Sequence, residues 1–202
     1  FSADGNYIVY CRESGTSEIW IMSCDGRQQR QLTSGSDDIY PTWSPDGQRI
    51  AFIRNGSGIY TMDINGGGIS MISSSQLPCS WSPDGSRIVY RVAVNNIYTM
   101  KADGTDVVQV TSTGWDSDPS WSPDGSRFAF VDVHDPFQIW ITSVDGSQRS
   151  QITTLSITDG HTQPSWSPDG KQIIFYQEFS VSVFVINSDG TGMRPVVSNA
   201  VN

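Results

Sequence analysis

The pentapeptide WSPDG recurs along this chain of 202 residues, and it constrains the fold more than any other feature. Its copies begin at Trp43, Trp81, Trp121 and Trp166, and a related FSADG begins at Phe1. Units of about 40 residues that recur in tandem are typical of solenoids and propellers, in which each unit packs on its neighbours. The sequence therefore predicts five copies of one structural unit, with starts near these residues.

Each unit contains four segments that have the character of β-strands. In the second copy they are Tyr40–Ser44, Arg49–Arg54, Gly58–Ile64 and Ile69–Ser73. They are rich in β-branched and aromatic residues with a period of two, and no segment shows a helical period. We therefore predict an all-β chain, a single β-propeller domain of five four-stranded blades over residues 1–202. The alternative is a fragment of a propeller with six or more blades.

Two kinds of corner are predicted in each blade. SPDG suits the four positions of a type I turn, because Pro fixes φ at the second position and Gly fits the fourth. After the third strand, an Asp-Gly or Asn-Gly pair predicts a second reversal, for which we expect a primed turn. These pairs are Asp25-Gly26, Asn65-Gly66, Asp103-Gly104, Asp145-Gly146 and Asp189-Gly190. The Trp of the motif is assigned to packing between blades.

The repeat resembles that of TolB-type propellers, which are related to WD-type repeats. The resemblance rests on P-x-W-S-P-D-G followed by I-A-F, as in Pro41–Phe52, and on I-Y-x-M-x-x-D-G, as in Ile97–Gly104. It implies an extracytoplasmic location, periplasmic or secreted, and binding of other proteins through propeller surfaces. Propellers with this type of repeat also include gating domains of peptidases and some polysaccharide lyases. An accessory domain of a larger enzyme is therefore an alternative.

Charge and cysteine spacing exclude some classes of function. The net charge is −9 and no basic stripe is present, so nucleic acid is not an expected partner. No apolar run is long enough for membrane insertion. The number of cysteines is odd, and they are Cys11, Cys24 and Cys79. A hairpin folded about Gly15 places Cys11 opposite Ile19 and not opposite Cys24, so we expect free thiols instead of a disulfide.

The connections between blades, and those between the second and third strands of a blade, are expected on one face. Function on a rigid scaffold tends to lie in such variable loops. Acidic residues gather in them, yet they come from different blades without the ligand spacing of one loop, so we predict no metal site and no cofactor. These residues are Asp37, Asp38, Asp116, Asp118, Asp132, Asp135, Asp159 and Glu178.

Aromatic and imidazole side chains give the candidate binding surface. Trp115 lies outside the Trp positions that the repeat explains, whereas Trp20 and Trp140 fall in third strands and are assigned to packing. Lyase relatives use His-rich metal centres, but two His residues without a third ligand do not predict one. The candidate partner-binding residues are Trp115, Asp116, Asp118, Asp38, Tyr40, His134, Phe137 and His161.

No catalytic constellation is evident in the sequence, and no G-x-S-x-G occurs in a strand-to-helix context. We therefore predict a non-enzymatic scaffold that recognises a protein partner, or a glycan, through its loop face. The accessory propeller of a larger peptidase or lyase is one alternative. A structural unit that assembles through open blade edges is another.

Overall fold

All regular structure in the described residues is β-structure, as predicted. The computed structural model describes residues 1–13, 15–134, 137–154, 161–177 and 182–197. Within these ranges, nineteen strands form five antiparallel sheets, and no helix is present. In particular, no helix of the described residues is long and apolar enough to cross a membrane.

The first sheet differs from the other four in its number of strands. It contains β1 (Tyr7–Glu13), β2 (Ser17–Ser23) and β3 (Arg30–Gln31), in that order. Within the described residues it therefore has one strand fewer than the predicted blade. Cys11 pairs with Ile19 in this sheet, as predicted, and all three cysteines are free.

Each of the remaining sheets has four strands in sequential order, which is the predicted blade. The second contains β4 (Asp38–Trp43), β5 (Arg49–Arg54), β6 (Gly58–Asp63) and β7 (Ser70–Ser73). The third contains β8 (Cys79–Trp81), β9 (Arg87–Arg91), β10 (Ile97–Lys101) and β11 (Val108–Gln109). The fourth contains β12 (Asp116–Trp121), β13 (Arg127–Asp132), β14 (Gln138–Ser143) and β15 (Arg149–Gln151), and the fifth contains β16 (His161–Trp166), β17 (Gln172–Gln177), β18 (Ser182–Asn187) and β19 (Arg194–Val197).

The chain divides into two compact units. The first comprises Phe1–Ala93 with Thr99–Val108, and the second comprises Val94–Tyr98 with Gln109–Asn202. The core of the first unit includes Ile19, Ile50, Phe52 and Met62, and the core of the second includes Val131, Ile139, Phe175 and Ile186. Second strands such as β5 carry apolar residues on both faces because both faces are covered in a stack of blades.

The SPDG corners form the predicted turns. The amide of Gly47 donates to the carbonyl of Ser44 at 2.9 Å, and Gly47 has a φ of 67°, which glycine adopts without strain. The hydroxyl of Ser44 donates to Asp46, whose carboxylate also accepts the amide of Gln48. The same bond from Gly to Ser closes the corners at Gly5, Gly85, Gly125 and Gly170.

The prediction of primed turns at the second set of corners is wrong. Gly146 donates to the carbonyl of Ser143 at 2.9 Å, so Asp145 occupies the third position of the turn and Gly146 the fourth. A type I′ turn would place Asp145 and Gly146 at its two central positions, and both would need positive φ. Gly146 has a φ of 75°, but Asp145 is not among the residues of positive φ. The Asp145 carboxylate stabilises this geometry by accepting from the hydroxyl of Ser143 and the amide of Ser147.

Candidate functional site

In the first unit, the loop before β4 lies between two other loops. The amide of Ser17 donates to Asp37 Oδ1 at 3.0 Å, and the amide of Asn55 donates to the Asp37 carbonyl at 2.8 Å. The Asn55 side chain also donates to Asp37 Oδ2 at 2.7 Å. This bond and the one from Ser17 hold the pKa of Asp37 below its usual value, so the carboxylate is charged at neutral pH. The loops predicted to share a face therefore meet here.

In the second unit, the segment that carries Trp115 is fixed from both sides. Gly114 donates its amide to Asn96 Oδ1 at 2.8 Å, and Asp116 donates its amide to the Asn95 carbonyl at 2.7 Å. On the other side, the amide of Val133 donates to the Trp115 carbonyl at 2.6 Å. Since these bonds fix the backbone, the indole is presented from a rigid frame.

Trp115 and His134 form an exposed aromatic pair. The Trp115 side chain is 48% exposed, which is unusual for so large an apolar group. Its ring lies edge-on to the His134 imidazole, with a centroid distance of 5.4 Å and an interplanar angle of 88°. The amide of His134 donates to Asp132 Oδ1 at 2.9 Å and so fixes the imidazole-bearing residue. We call these two side chains the Trp115 platform.

Phe137 supports the fold beneath this region. Its side chain is half-buried and packs against the core cluster that includes Ala129 and Ile139. It therefore presents less apolar surface to a partner than Trp115 does.

Two of the predicted binding residues, Asp38 and Asp116, are buried ion-pair partners. The Asp38 side chain is fully buried, and Arg54 donates to its two oxygens at 2.8 and 3.0 Å. The Arg54 guanidinium also stacks over Tyr60 at 4.7 Å. Its pKa is raised, mainly by the hydrogen bond to Asp38. This carboxylate therefore joins strands of its own blade, and we assign it a structural role.

Asp116 is held in the same way by an arginine from a different strand. Its side chain is fully buried and accepts from Arg149 at 3.1 and 3.0 Å and from the Thr113 hydroxyl at 2.6 Å. Arg149 also bonds Asp132 at 2.8 Å and stacks over Trp140 at 4.6 Å. Asp116 is accordingly structural as well, and no pattern in the sequence indicates that β15 supplies its partner.

Tyr40 and Asp118 occupy equivalent positions in two blades, each directly before a proline. Both side chains are exposed, Tyr40 by 59%, and both residues have positive φ, 52° and 48°. Each lies where the pairing of the first two strands shifts register. A bulge of this kind re-aims a side chain, which accounts for the exposure of these two residues.

Of the remaining predicted residues, the structure describes only the backbone of His161. His161 begins β16 and pairs in register with Gln177, but its side chain lies outside the described residues. Asp135, Asp159 and Glu178 also lie outside them. Among the described residues, no group of three or more His, Cys, Asp and Glu is arranged to hold a metal ion.

The chain matches a known protein family. A family model described as the TolB beta propeller domain matches residues 1–94 and 75–201. The chain belongs to the TolB β-propeller domain family. Among curated proteins, none matches this chain.

Solved structures of similar fold include TolB proteins and lyases. A protein assigned as TolB in Agrobacterium tumefaciens is 26% identical, with 98% of this chain and 78% of that chain covered and a TM-score of 0.80. TolB of Acinetobacter baumannii is 21% identical over 98% of this chain and 53% of its own, with a TM-score of 0.76. Oligogalacturonate lyase of Vibrio parahaemolyticus is 17% identical, with 98% of this chain and 63% of that chain covered and a TM-score of 0.76. The last two likenesses show the fold alone.

Proposed function

We propose that this TolB-type propeller is a binding scaffold without catalytic chemistry of its own, which takes a protein partner on the Trp115 platform. The observation that carries the proposal is the pairing of a 48% exposed Trp115 with His134 on a hydrogen-bonded loop frame. A large exposed aromatic on a rigid frame suits partner recognition, because it buries much apolar area while losing little conformational freedom.

Energetics favour one dominant contact at such a surface. Trp residues are enriched among interface residues whose truncation costs about 2 kcal/mol or more. The backbone around Trp115 is already fixed by the bonds of Gly114, Asp116 and Val133, so binding need not order it. Trp115 is therefore the expected anchor, with Asp118 as a charged neighbour in the same segment.

The charge of the chain narrows the class of partner. A net charge of −9, with an exposed carboxylate at Asp118, attracts neutral or basic surfaces and repels acidic ones. We also propose an extracytoplasmic location, following the resemblance of the chain to TolB-type proteins. A glycan is the competing ligand, since an exposed Trp also stacks on sugar rings and an oligogalacturonate lyase shares the fold.

Site-specific photo-cross-linking tests the proposal. A photoreactive phenylalanine analogue replaces Trp115 in one variant and Val144 in a matched control. Val144 is 37% exposed and follows β14 at the opposite end of the same sheet. In an extract of the source cells, we expect a discrete protein adduct at position 115 that is absent at position 144. Equal labelling at the two positions would contradict the proposal.

A fluorescence titration with oligogalacturonides separates the glycan from the protein partner. The wild-type chain and Trp115→Ala are titrated in parallel. We expect no saturable change in either chain. A saturable change that disappears in Trp115→Ala would replace the protein partner with a glycan.

A further inference from the structure

We propose that a cavity between the first two blades binds an arginine side chain of another protein, together with the peptide backbone beside it. The cavity has a volume of about 530 Å³, and its lining includes corner residues of both blades. We call it the corner cavity, and the residues that distinguish it are Ala3, Asp4, Tyr7, Trp43, Asp46 and Gly47. Its described lining belongs to the first unit, whereas the Trp115 platform belongs to the second, so the inference goes beyond the proposed function.

A small residue in the first corner opens space between the two blades. This corner reads SADG, with Ala3 where the other four corners have proline. Between the second and third blades, the proline reaches the next corner, since a Cβ on Gly85 would lie 3.6 Å from Pro45 Cδ. A Cβ on Gly47, the corresponding glycine of the second blade, would meet no atom within 4 Å. The space therefore results from the identity of residue 3.

Tyr7 occupies a strand position that holds arginine in the second and fourth blades. Tyr7, Arg49 and Arg127 each begin the strand that follows a corner, and each pairs with the last residue of the next strand. The guanidinium carbon of Arg49 lies 6.0 Å from the ring centroid of Trp81 in the following blade. That of Arg127 lies 4.9 Å from the ring centroid of Trp166. In these two pairs of blades, an arginine of the chain itself thus stacks over the motif tryptophan.

Trp43, the motif tryptophan that lines the corner cavity, lacks such an arginine. None of the arginines in the described ranges stacks over its ring. Arg30 also lines the cavity, but its two terminal nitrogens donate to the carbonyls of Ile64 and Asn65 at 2.9 and 3.0 Å. Tyr7 adds a second aromatic side chain, which is 40% exposed. The cavity thus offers aromatic surface to a guanidinium that comes from outside the chain.

Two charged carboxylates favour a cation in the corner cavity. Asp4 and Asp46 line it from the two corners. Hydrogen bonds from the hydroxyls of Ser2 and Ser44, respectively, hold the pKa of each carboxyl below its usual value, so both are charged at neutral pH. Among the described residues of the lining, Arg30 is the only cation, and the whole chain has a net charge of −9. A guanidinium suits this lining better than an ammonium group, because it stacks on aromatic rings and donates in its plane to carboxylates.

The size of the corner cavity favours a peptide over a free guanidinium compound. Its volume of about 530 Å³ lies within the range of roughly 300–1,000 Å³ that sites for whole small molecules occupy. A guanidinium fills only part of this space. The amide side chains of Gln28, Gln48 and Asn65 complete the polar lining, and amides can both donate to and accept from a peptide backbone. The residues that flank the arginine therefore have both room and hydrogen-bonding partners.

A matched pair of peptides tests the inference. One probe is the labelled, end-blocked peptide GGRGG, and the other carries citrulline, which keeps the shape of arginine without its charge. Both are titrated by fluorescence anisotropy against the wild-type chain, Tyr7→Arg and Gln172→Arg. Tyr7→Arg supplies the arginine that the second and fourth blades have at this position, so it should occupy the cavity from within. Gln172→Arg is the control, because Gln172 begins the equivalent strand of the fifth blade, outside the cavity, and the variant adds the same charge.

The expected affinities separate the guanidinium from the rest of the peptide. The wild-type chain and Gln172→Arg should bind the arginine peptide equally well and about tenfold or more tightly than the citrulline peptide. Tyr7→Arg should bind the arginine peptide about tenfold or more weakly than the wild-type chain. Equal affinity for the two peptides, or undiminished binding by a folded Tyr7→Arg, would overturn the proposal. If acetyl-arginine amide binds as tightly as the peptide, the site takes a free guanidinium compound and the peptide assignment is wrong.

A second pair of variants keeps the test valid if Tyr7→Arg does not fold. Asp46→Asn removes a carboxylate from the corner cavity, and Asp169→Asn makes the same change at the equivalent corner of the fifth blade. We expect weaker binding of the arginine peptide by Asp46→Asn alone. Equal affinities of these two variants would overturn the proposal.

Nitrogen-15 NMR spectra of the same titrations locate the bound peptide. The arginine peptide should shift the signals of the Gly47 amide and the Trp43 indole and leave that of the Trp115 indole unchanged. Shifts at Trp115 without shifts at Trp43 and Gly47 would place the peptide on the Trp115 platform and overturn the proposal. The proposed function is tested separately, because a loss of partner cross-linking at Trp115 leaves the binding of this peptide unaffected.

Discussion

Arg149 binds both oxygens of the buried Asp116 carboxylate, although β15 and β12 are the last and first strands of their sheet. The guanidinium crosses the face of the blade, where it stacks over Trp140 at 4.6 Å and Phe130 at 4.9 Å. One side chain thus ties the outer strand to the strand that leads away from the Trp115 platform. The platform is therefore supported by an ion pair within its own blade.

Removing Arg149 should destabilise the second unit strongly. In Arg149→Gln, the fully buried carboxylate of Asp116 loses its charge partner, and an uncompensated buried charge costs about 3–5 kcal/mol. Urea unfolding followed by tryptophan fluorescence measures the loss. The control Lys171→Gln alters an exposed corner residue and should change the free energy of unfolding by less than about 1 kcal/mol.

A second variant separates the charge effect from a loss of packing. Asp116→Asn combined with Arg149→Gln removes both charges and should recover part of the lost stability. If the double variant is as unstable as the sum of the two single variants, the ion pair is not what holds the strands together.

The burial of Asp38 and Asp116 in ion pairs could not be predicted from the sequence. The sequence analysis placed both residues in connections between blades, whereas each is the first residue of a first strand, β4 or β12. Their burial depended on Arg54 and Arg149, which come from different strands of the two blades. Because no fixed spacing joins these arginines to the aspartates, the sequence could not show that the carboxylates were already paired.

The corner aspartates should titrate at unusually low pH. Hydrogen bonds from the Ser122 hydroxyl, and next from the Ser126 amide, lower the pKa of Asp124 to about 2. Since the folded pKa lies below the unfolded one, the stabilising contribution is complete above about pH 4 and is lost as the pH falls through about 2. A carbon-detected NMR titration should show the Asp124 midpoint near this value, and Ser122→Ala should move it upward. An unchanged midpoint in Ser122→Ala would refute the role of the hydroxyl.

Two glycine corners should differ in their tolerance of alanine. A Cβ at Gly146 would lie 2.1 Å from the carbonyl oxygen of Val110, whereas one at Gly170 meets nothing closer than Pro123 Cδ at 3.7 Å. Both have positive φ, 75° and 69°, so each substitution carries a backbone strain of roughly 1–2 kcal/mol. Gly146→Ala should therefore lower the thermal midpoint more than Gly170→Ala does. Equal shifts would mean that the contact with Val110 relaxes freely.

The cysteines should react in a defined order. Cys24 is exposed, whereas burial raises the pKa of the Cys79 thiol to about 12 and also raises that of Cys11. Because the thiolate is the reactive form, a maleimide at pH 8 should modify Cys24 first. Peptide mass spectrometry over a time course gives the order, and modification of Cys79 as fast as Cys24 would contradict it.

The repeat predicted the strands and SPDG corners of the blades, but it did not predict the turn type of the Asp-Gly corners or the contacts of the loops. SPDG corners and strand order followed from local chemistry, since Pro and Gly fix their own dihedral angles. The Asp-Gly corners were assigned the wrong turn type, because the residue pair does not show which turn position the Asp occupies. Trp115 was singled out because the repeat left it unexplained, but its pairing with His134 depends on loops 19 residues apart that the fold brings together.

The affinity of Trp115→Ala for the cross-linked partner, measured beside its thermal unfolding, tests the central proposal most directly. Trp115 is exposed and its neighbours bond through the backbone, so the thermal midpoint should stay nearly constant. Binding should weaken by at least about thirtyfold, the equivalent of roughly 2 kcal/mol. Unchanged affinity with an unchanged midpoint would show that the Trp115 platform is not the binding surface.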